Sequence, residues 1–307
     1  MKFEYGTSTN RTDITDTIHK CICDNYIIIP VGNKKRRILY DLTNNKYEIN
    51  EQEYIFISGC PIDENIPVKI DTTKKICLCF YGLTRSLKIT HLSINNNILK
   101  TLIKNNYYFD IYIHTYDLDI LTNKRTHENN CKLDFQEYKL LKPDHIYIQN
   151  QKKYDEGINI KDYSLHGDPW SDNYSSLFNL LRQLNSLKLV TEMHENKDYY
   201  CYIYLRPDLK YLNPLDINLI NNIKENTFYT PYWSKFGGLN DRLGFGKKNV
   251  MLEFGNRMQH ALQYSKSKKL HSETFLKNIM RDYKIVNIDL KANRIRANGK
   301  ENIHDTN

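Results

Sequence analysis

Several of the commoner signatures are missing from this chain. Its seven cysteines are odd in number and include no CxxC pair. The CxC spacings Cys21/Cys23 and Cys77/Cys79 lie in apolar, strand-like runs, where alternation puts each pair on one face. Without two more ligands at zinc spacing, both pairs read as buried free thiols. No GxxxxGK[ST] and no GxGxxG occurs, which removes the P-loop and the dinucleotide-binding fingerprint. No apolar run reaches membrane-spanning length, and the N-terminus lacks the order of charges and small residues that marks a signal peptide. The expectation is a soluble, reduced protein of the cytoplasm, not a secreted one. There is no internal repeat.

A basic stripe is missing too. The formal charge is +8, from 44 Lys and Arg against 36 Asp and Glu, but it is spread along the chain. The densest runs, Lys34–Arg37 and Lys266–Lys269, are short. The excess suits anionic partners: nucleotides, nucleic acid or acidic membranes. No helix-turn-helix, zinc-finger or RRM signature selects nucleic acid among these.

With 307 residues, 40% of them hydrophobic and 26% charged, the chain has enough material for one large domain or a domain plus an appendage. Residues 1–73 read as a small β-rich appendage. It has a hairpin from Tyr26 to Tyr40, strands near Lys46–Ile49 and Tyr54–Ile57, and a turn region from Gly59 to Pro67. Residues 74–290 alternate strands and helices, the mark of an α/β sheet. Ile76–Tyr81, Phe109–His114 and His145–Ile148 are short apolar strands, with a polar loop from Thr122 to Asn130. Leu177, Leu180, Leu181, Leu184 and Leu187 share one helix face. That helix leads into Cys201–Leu205, an aromatic strand. A helix is expected from Pro214 to Ile223, a strand at Thr227–Thr230 and a last strand at Lys284–Ile288. Residues 291–307 read as a polar, basic tail.

Chemistry gathers where strands end. Tyr81-Gly82-Leu83-Thr84-Arg85 offers a glycine for close backbone approach and a guanidinium for phosphate. Asp110 and His114 share a face of the second strand. In Arg206-Pro207-Asp208 the proline stops the strand, and Asp208 suits a divalent cation while Arg206 suits phosphate or the carboxylate itself. Asp241 sits in a glycine-rich loop near Tyr232 and Trp233, an arrangement that suits a sugar ring, and Glu273 opens a helix after His271 and Ser272. Both acids also suit the plainer role of helix N-terminal partner.

Taken in order, these landmarks resemble the nucleotide-sugar-dependent glycosyltransferases of the GT-A fold, and within them a group found in large DNA viruses and bacteria. The similar segments are Cys79–Ser86, Phe109–Tyr116, Leu205–Leu209, Asn240–Gly246 and His271–Glu273, spanning residues 75–285. The resemblance implies a mixed Rossmann-type sheet flanked by helices and a nucleotide-sugar donor held near Gly82, Arg85, Asp110, His114 and Arg206. It implies a glycan or protein acceptor, with Asp241 first and Glu273 second as acceptor-binding group or general base. It also implies Mn²⁺ or Mg²⁺ on Asp208, the last acid of an Asp-X-Asp motif, and turnover lost without unfolding in Asp208→Ala. Arg206 occupies the first position of that motif, a departure that opens the question of metal dependence. A nucleic-acid-binding protein, or an inactive glycan-binding module on the same fold, are the alternatives from other classes.

Overall fold

The computed structural model describes residues 74–306 and, before them, the backbone of five strands. These are β1 (Phe3–Gly6), β2 (Ile27–Ile29), β3 (Arg36–Tyr40), β4 (Asn45–Ile49) and β5 (Tyr54–Ile57). β1 pairs with β5, and β2, β3 and β4 form an antiparallel sheet in which Ile27 faces Leu39, the pairing expected of a hairpin. The Cys21/Cys23 pair and the turn region from Gly59 to Pro67 lie outside the described residues.

The next elements are β6 (Lys75–Tyr81), α1 (Leu87–Ile94), α2 (Lys100–Lys104), β7 (Tyr108–Asp117), β8 (Ile120–Asn123), β9 (Glu128–Lys132), β10 (His145–Asn150), α3 (Gln151–Glu156) and α4 (Ser175–Glu192). They are followed by β11 (Cys201–Leu205), β12 (Leu209–Tyr211), α5 (Ile217–Asn221), β13 (Thr227–Pro231), β14 (Leu243–Gly246), α6 (Lys248–Asn256), α7 (Met258–Ser265) and α8 (Ser272–Ile279). β15 (Lys284–Ile288), β16 (Ala292–Ile295) and β17 (Glu301–Asn302) complete the series.

A seven-stranded mixed sheet runs in the order β10-β7-β6-β11-β14-β13-β15. The first four strands are parallel, β14 is antiparallel to both neighbours, and β13 and β15 are parallel. This is the α/β fold the strand–helix alternation predicts. The central strands carry apolar side chains on both faces because both faces are covered. Ile76, Leu78 and Phe80 of β6 point into one core, with Ile111, Ile113, Ile203 and the α1–α2 side chains Leu87, Ile94, Leu102 and Ile103. Cys77, Cys79 and Tyr81 point into the other, under the leucine face of α4. Each buried leucine on that face contributes about 2 kcal/mol.

Four local readings change. The loop from Thr122 to Asn130 contains parts of β8 and β9, a small antiparallel pair in which most of the polar residues are exposed or half-buried and Glu128 is buried. The helix expected from Pro214 to Ile223 is the single turn α5, started by Asp216, whose side chain accepts from Asn218 N. The glycine-rich segment before α6 includes strand β14. A β-carbon on Gly244 would lie 2.5 Å from the Phe228 ring, so glycine is there to let the strand approach its neighbour. Lastly, residues after 291 are not a tail. β16 pairs with β12 (Leu209 opposite Arg294) and β17 pairs with β16, while Ala292 and Ile295 are buried. Four residues, one of them arginine, are too short a pattern to read as a strand.

Candidate functional site

Because β6, β7 and β11 are parallel, their carboxyl ends lie on one edge, the place where open α/β sheets bind ligands. The loops leaving β6 and β11 frame a crevice of about 560 Å³ there. Gly82 turns the chain out of β6 at φ +94°, a conformation open to glycine. Its N–H donates to Ser186 Oγ on α4 at 2.8 Å, and Ser186 shares a 2.7 Å hydrogen bond with His114 Nδ1. The turn is thus fixed through α4 before any ligand arrives.

Asp208 is 2% exposed and lies at the centre of a charge cluster. Arg206 forks onto it, Nε to Oδ1 at 2.9 Å and Nη2 to Oδ2 at 2.6 Å. Arg85 Nη2 donates to Oδ2 at 2.8 Å. Burial alone would raise the Asp208 pKa, but Arg206 and then Arg85 overcome it and hold the carboxyl far below its ordinary range. Behind the crevice wall, Glu128 accepts from Ala297 N and lies 3.5 Å from Arg85 and 4.0 Å from Arg296. Asp305 binds Arg294 through two hydrogen bonds of 2.8 and 2.7 Å and lies 3.2 Å from Arg242. All five arginines line the cavity, whereas Glu128 and Asp305 do not. Within this cluster five guanidiniums against three carboxylates leave an excess of two positive charges, which Asp241 offsets in part.

The crevice also carries two acids in opposite states. Gln183 connects them to the cluster: its Oε1 accepts from Arg206 Nη1 at 2.9 Å and its Nε2 donates to Asp241 Oδ2 at 2.7 Å. Burial pushes the Asp241 pKa up, but Arg242, Arg206 and Arg257 outweigh it and keep the carboxyl ionised. Glu273 is pushed up to about 7, first by burial and then by the negative charge of Asp241. Paired acids split in this way are how one site holds both a fixed charge and a group that exchanges protons near neutrality. Ser272 Oγ donates to Glu273 Oε2 at 2.6 Å. Beside them Trp170 stacks on His271 with ring centroids 5.2 Å apart, and Arg125 lies 5.9 Å from the Trp170 ring. Asp168 fixes the Trp170 loop by accepting from the N–H groups of Trp170, Asp172 and Tyr174.

The position of Glu273 depends on Gly238. A β-carbon there would fall 1.9 Å from the Glu273 carbonyl oxygen and 2.1 Å from its carbon. Gly238→Ala is expected to displace the start of α8 and cost about 3 kcal/mol, measured as a lower denaturation midpoint at unchanged slope.

The residues do not fit Mn²⁺ or Mg²⁺ at Asp208. These hard ions need carboxylate oxygens with lone pairs to give. Both Asp208 oxygens already accept from guanidiniums, and the next ionisable neighbour along the chain is a cation. Among the described residues, the metal-ligating group whose ligand atoms converge is Cys77, Cys79 and His194, buried in the core away from the crevice. Thiols and imidazole suit softer ions than these two.

Of the sequence-selected residues, Gly82, Arg85, Arg206, Asp208, Asp241 and Glu273 all line the crevice. Asp110 and His114 do not. Asp110 faces Cys77 in register, well before the strand end, and is tied to Lys75 at 2.7 Å and to the Tyr199 hydroxyl at 2.6 Å. His114 is wholly buried, and burial lowers its pKa to about 3, so it stays neutral and supports Ser186. Trp233 is buried too, its Nε1 donating to Leu290 O, and Trp170 and Phe236 are among the aromatics that line the crevice instead. Gln183, Arg294, Arg296 and the supporting Glu128 and Asp305 had no motif to select them, and Arg242 stood in the Asn240–Gly246 segment without a role.

Comparison with solved structures gives alignments of low score to two glycosyltransferases. GlyE, a glycosyltransferase of Streptococcus pneumoniae TIGR4, aligns in its apo form at 13% identity and a TM-score of 0.36, over 70% of this chain and 45% of that one. A second structure of GlyE gives 12% and 0.35. Mouse xyloside xylosyltransferase 1, also in the apo form, gives 9% and 0.38, over 70% of this chain and 85% of that one. This chain therefore spans less than half the length of GlyE. No curated protein matches the sequence. Among the described residues no helix is long and apolar enough to cross a membrane. A family model described as a domain of unknown function, DUF7796, matches residues 71–295, which hold the whole mixed sheet and nearly all of the crevice, and the chain belongs to that family.

Proposed function

We propose that this chain is a glycosyltransferase of the GT-A type, moving a sugar from a nucleotide diphosphate donor to a hydroxyl of a glycan or protein acceptor. The observation that carries the reading is one crevice lined both by the guanidinium cluster and by the Asp241–Glu273 pair. The guanidiniums suit a diphosphate. Trp170 offers an apolar face to a sugar ring. Charge gathered inside a cavity suits a small anionic ligand better than a polymer, which would meet a surface stripe.

Glu273 is the better base of the two acids. The acceptor hydroxyl gives its proton to Glu273 as its oxygen bonds to the anomeric carbon, and the bond from that carbon to the diphosphate oxygen breaks. A base with a pKa near the working pH serves such a transfer. Asp241, held ionised by arginines, is a poor proton acceptor and a good partner for sugar hydroxyls. This reverses the order in which the sequence placed them.

Thermal unfolding with UDP-, GDP-, CMP- and dTDP-sugars tests the reading. A ligand at a hundred times its dissociation constant adds about 2.7 kcal/mol, a rise in midpoint of roughly 5–10 °C for a domain of this size. A rise with one nucleotide names the donor class. Folded protein unmoved by all of them overturns the proposal.

A further inference from the structure

We propose that the guanidinium cluster around Arg206, Arg294 and Arg296 takes the place of a divalent cation, so that the crevice binds a diphosphate group without metal. For the identity of the ligand as a sugar donor, this rests on the glycosyl-transfer reading.

Three observations converge. First, Arg206 stands where a first acid would be and is forked onto Asp208, so the carboxylate that would hold a cation instead holds a cation of the protein. Inserting a metal there would break three charge-assisted hydrogen bonds and place two further positive charges in an already positive site. Second, the carboxylates that balance Arg294 and Arg296 are behind the wall. Glu128 is 0% and Asp305 2% exposed, while the arginines they support line the cavity. Arg294 spends Nε and Nη2 on Asp305, and Arg296 has Glu128 no nearer than 4.0 Å. Donors are therefore left to bind an anion. Third, the cluster is crowded. Burial, then Arg294 and Arg85, pull the Arg296 pKa down to about 10. A bound anion relieves that repulsion, and a bound cation aggravates it.

The chemistry needs nothing more. When the anomeric carbon–oxygen bond breaks, its electron pair stays on the diphosphate, which gains one negative charge among fixed guanidiniums already in position. Planar forks match phosphate oxygens two at a time, and fixed charges need no reorganisation as the bond breaks. The acceptor proton goes to Glu273, so charge and atoms balance without a co-reactant.

Calorimetric titration of the full chain with inorganic pyrophosphate, UDP and GDP, in EDTA and again in excess Mn²⁺, tests this. Pyrophosphate and one nucleoside diphosphate are expected to bind in EDTA at least as tightly as with Mn²⁺. Arg296→Gln should weaken binding in EDTA about tenfold or more with its unfolding midpoint unchanged, and Arg296→Lys should recover part of the loss. Nucleotide binding that requires Mn²⁺, or an Arg296→Gln protein that binds as the parent does, overturns the inference and leaves the glycosyl-transfer reading standing. Metal-free binding of pyrophosphate with no nucleoside diphosphate bound upholds the anion site and overturns that reading. No binding under either condition overturns both.

Discussion

Asp208→Ala is expected to destabilise the protein by about 3 kcal/mol. As a metal ligand, Asp208 would be a loss to activity alone, and the sequence suggested a variant that folds normally. The structure gives it a second role. Its carboxylate is the shared partner of Arg206 and Arg85, whose side chains are 20% and 9% exposed, and truncation leaves two guanidiniums poorly hydrated and facing one another. Removing one member of a buried ion pair costs more than the pair itself contributes, because the remaining charge is stranded. Arg206→Ala in the same chain should therefore recover part of the loss, and a double-mutant cycle in urea measures the coupling. The pH dependence has a fixed sign. With a folded pKa held far below the unfolded value of about 3.9, Asp208 stabilises fully above that value and loses its contribution as pH falls. The variant should thus lose less stability than the parent between pH 5 and pH 3. An Asp208→Ala protein with parental stability at neutral pH would show that Arg206 and Arg85 are satisfied by water.

The parts of this site that sequence reveals are those where local pattern and chemistry coincide. Ile76–Tyr81 and Cys201–Leu205 read as strands because apolar residues fill both faces, and the residues leaving them had to lie at the sheet edge. That reasoning found Gly82, Arg85, Arg206 and Asp208. It went astray with Asp110, since alternation gives the face of a strand but not the distance from its end, and with His114, which lies level with Tyr81 but is buried against Ser186 of α4. Arg206 looked like damage to a metal motif, because a string of letters does not show that its guanidinium folds back on Asp208. The most distant contributors were invisible for another reason. Glu128 meets Ala297 across 169 positions, and Arg294 and Asp305 lie in a polar stretch where charge is the norm. Only the pairing of β16 with β12 brings them beside the crevice. Trp170 and Trp233 illustrate the same limit. One indole is buried by its tertiary surroundings and the other is held at the cavity by a loop that Asp168 fixes.

Glu273→Gln is expected to lower kcat by about 10²–10⁴-fold with a smaller change in KM, and to make the protein more stable above pH 7. The two effects share a cause. A carboxyl whose pKa rises to about 7 on folding binds its proton more tightly in the folded state. Its contribution to stability is therefore greatest below the unfolded pKa of about 4.3 and is lost as pH rises through 7. The loss approaches about 4 kcal/mol. Glutamine keeps the shape, carries no charge and escapes that loss, so the stability gap between variant and parent should open from pH 5 to pH 8. Turnover moves the opposite way, because the same strain that destabilises the ionised acid makes it a base near neutrality, and the rising limb of the kcat profile near pH 7 should disappear. Asp241→Asn is the control. Its carboxylate is already ionised by Arg242, Arg206 and Arg257, so the change should act on KM and, by removing a negative charge that raises the Glu273 pKa, shift the rising limb to lower pH without abolishing it. A variant at Glu273 that gains stability but turns over normally would make this acid a buried partner of α8, and the proton would have to leave by another group.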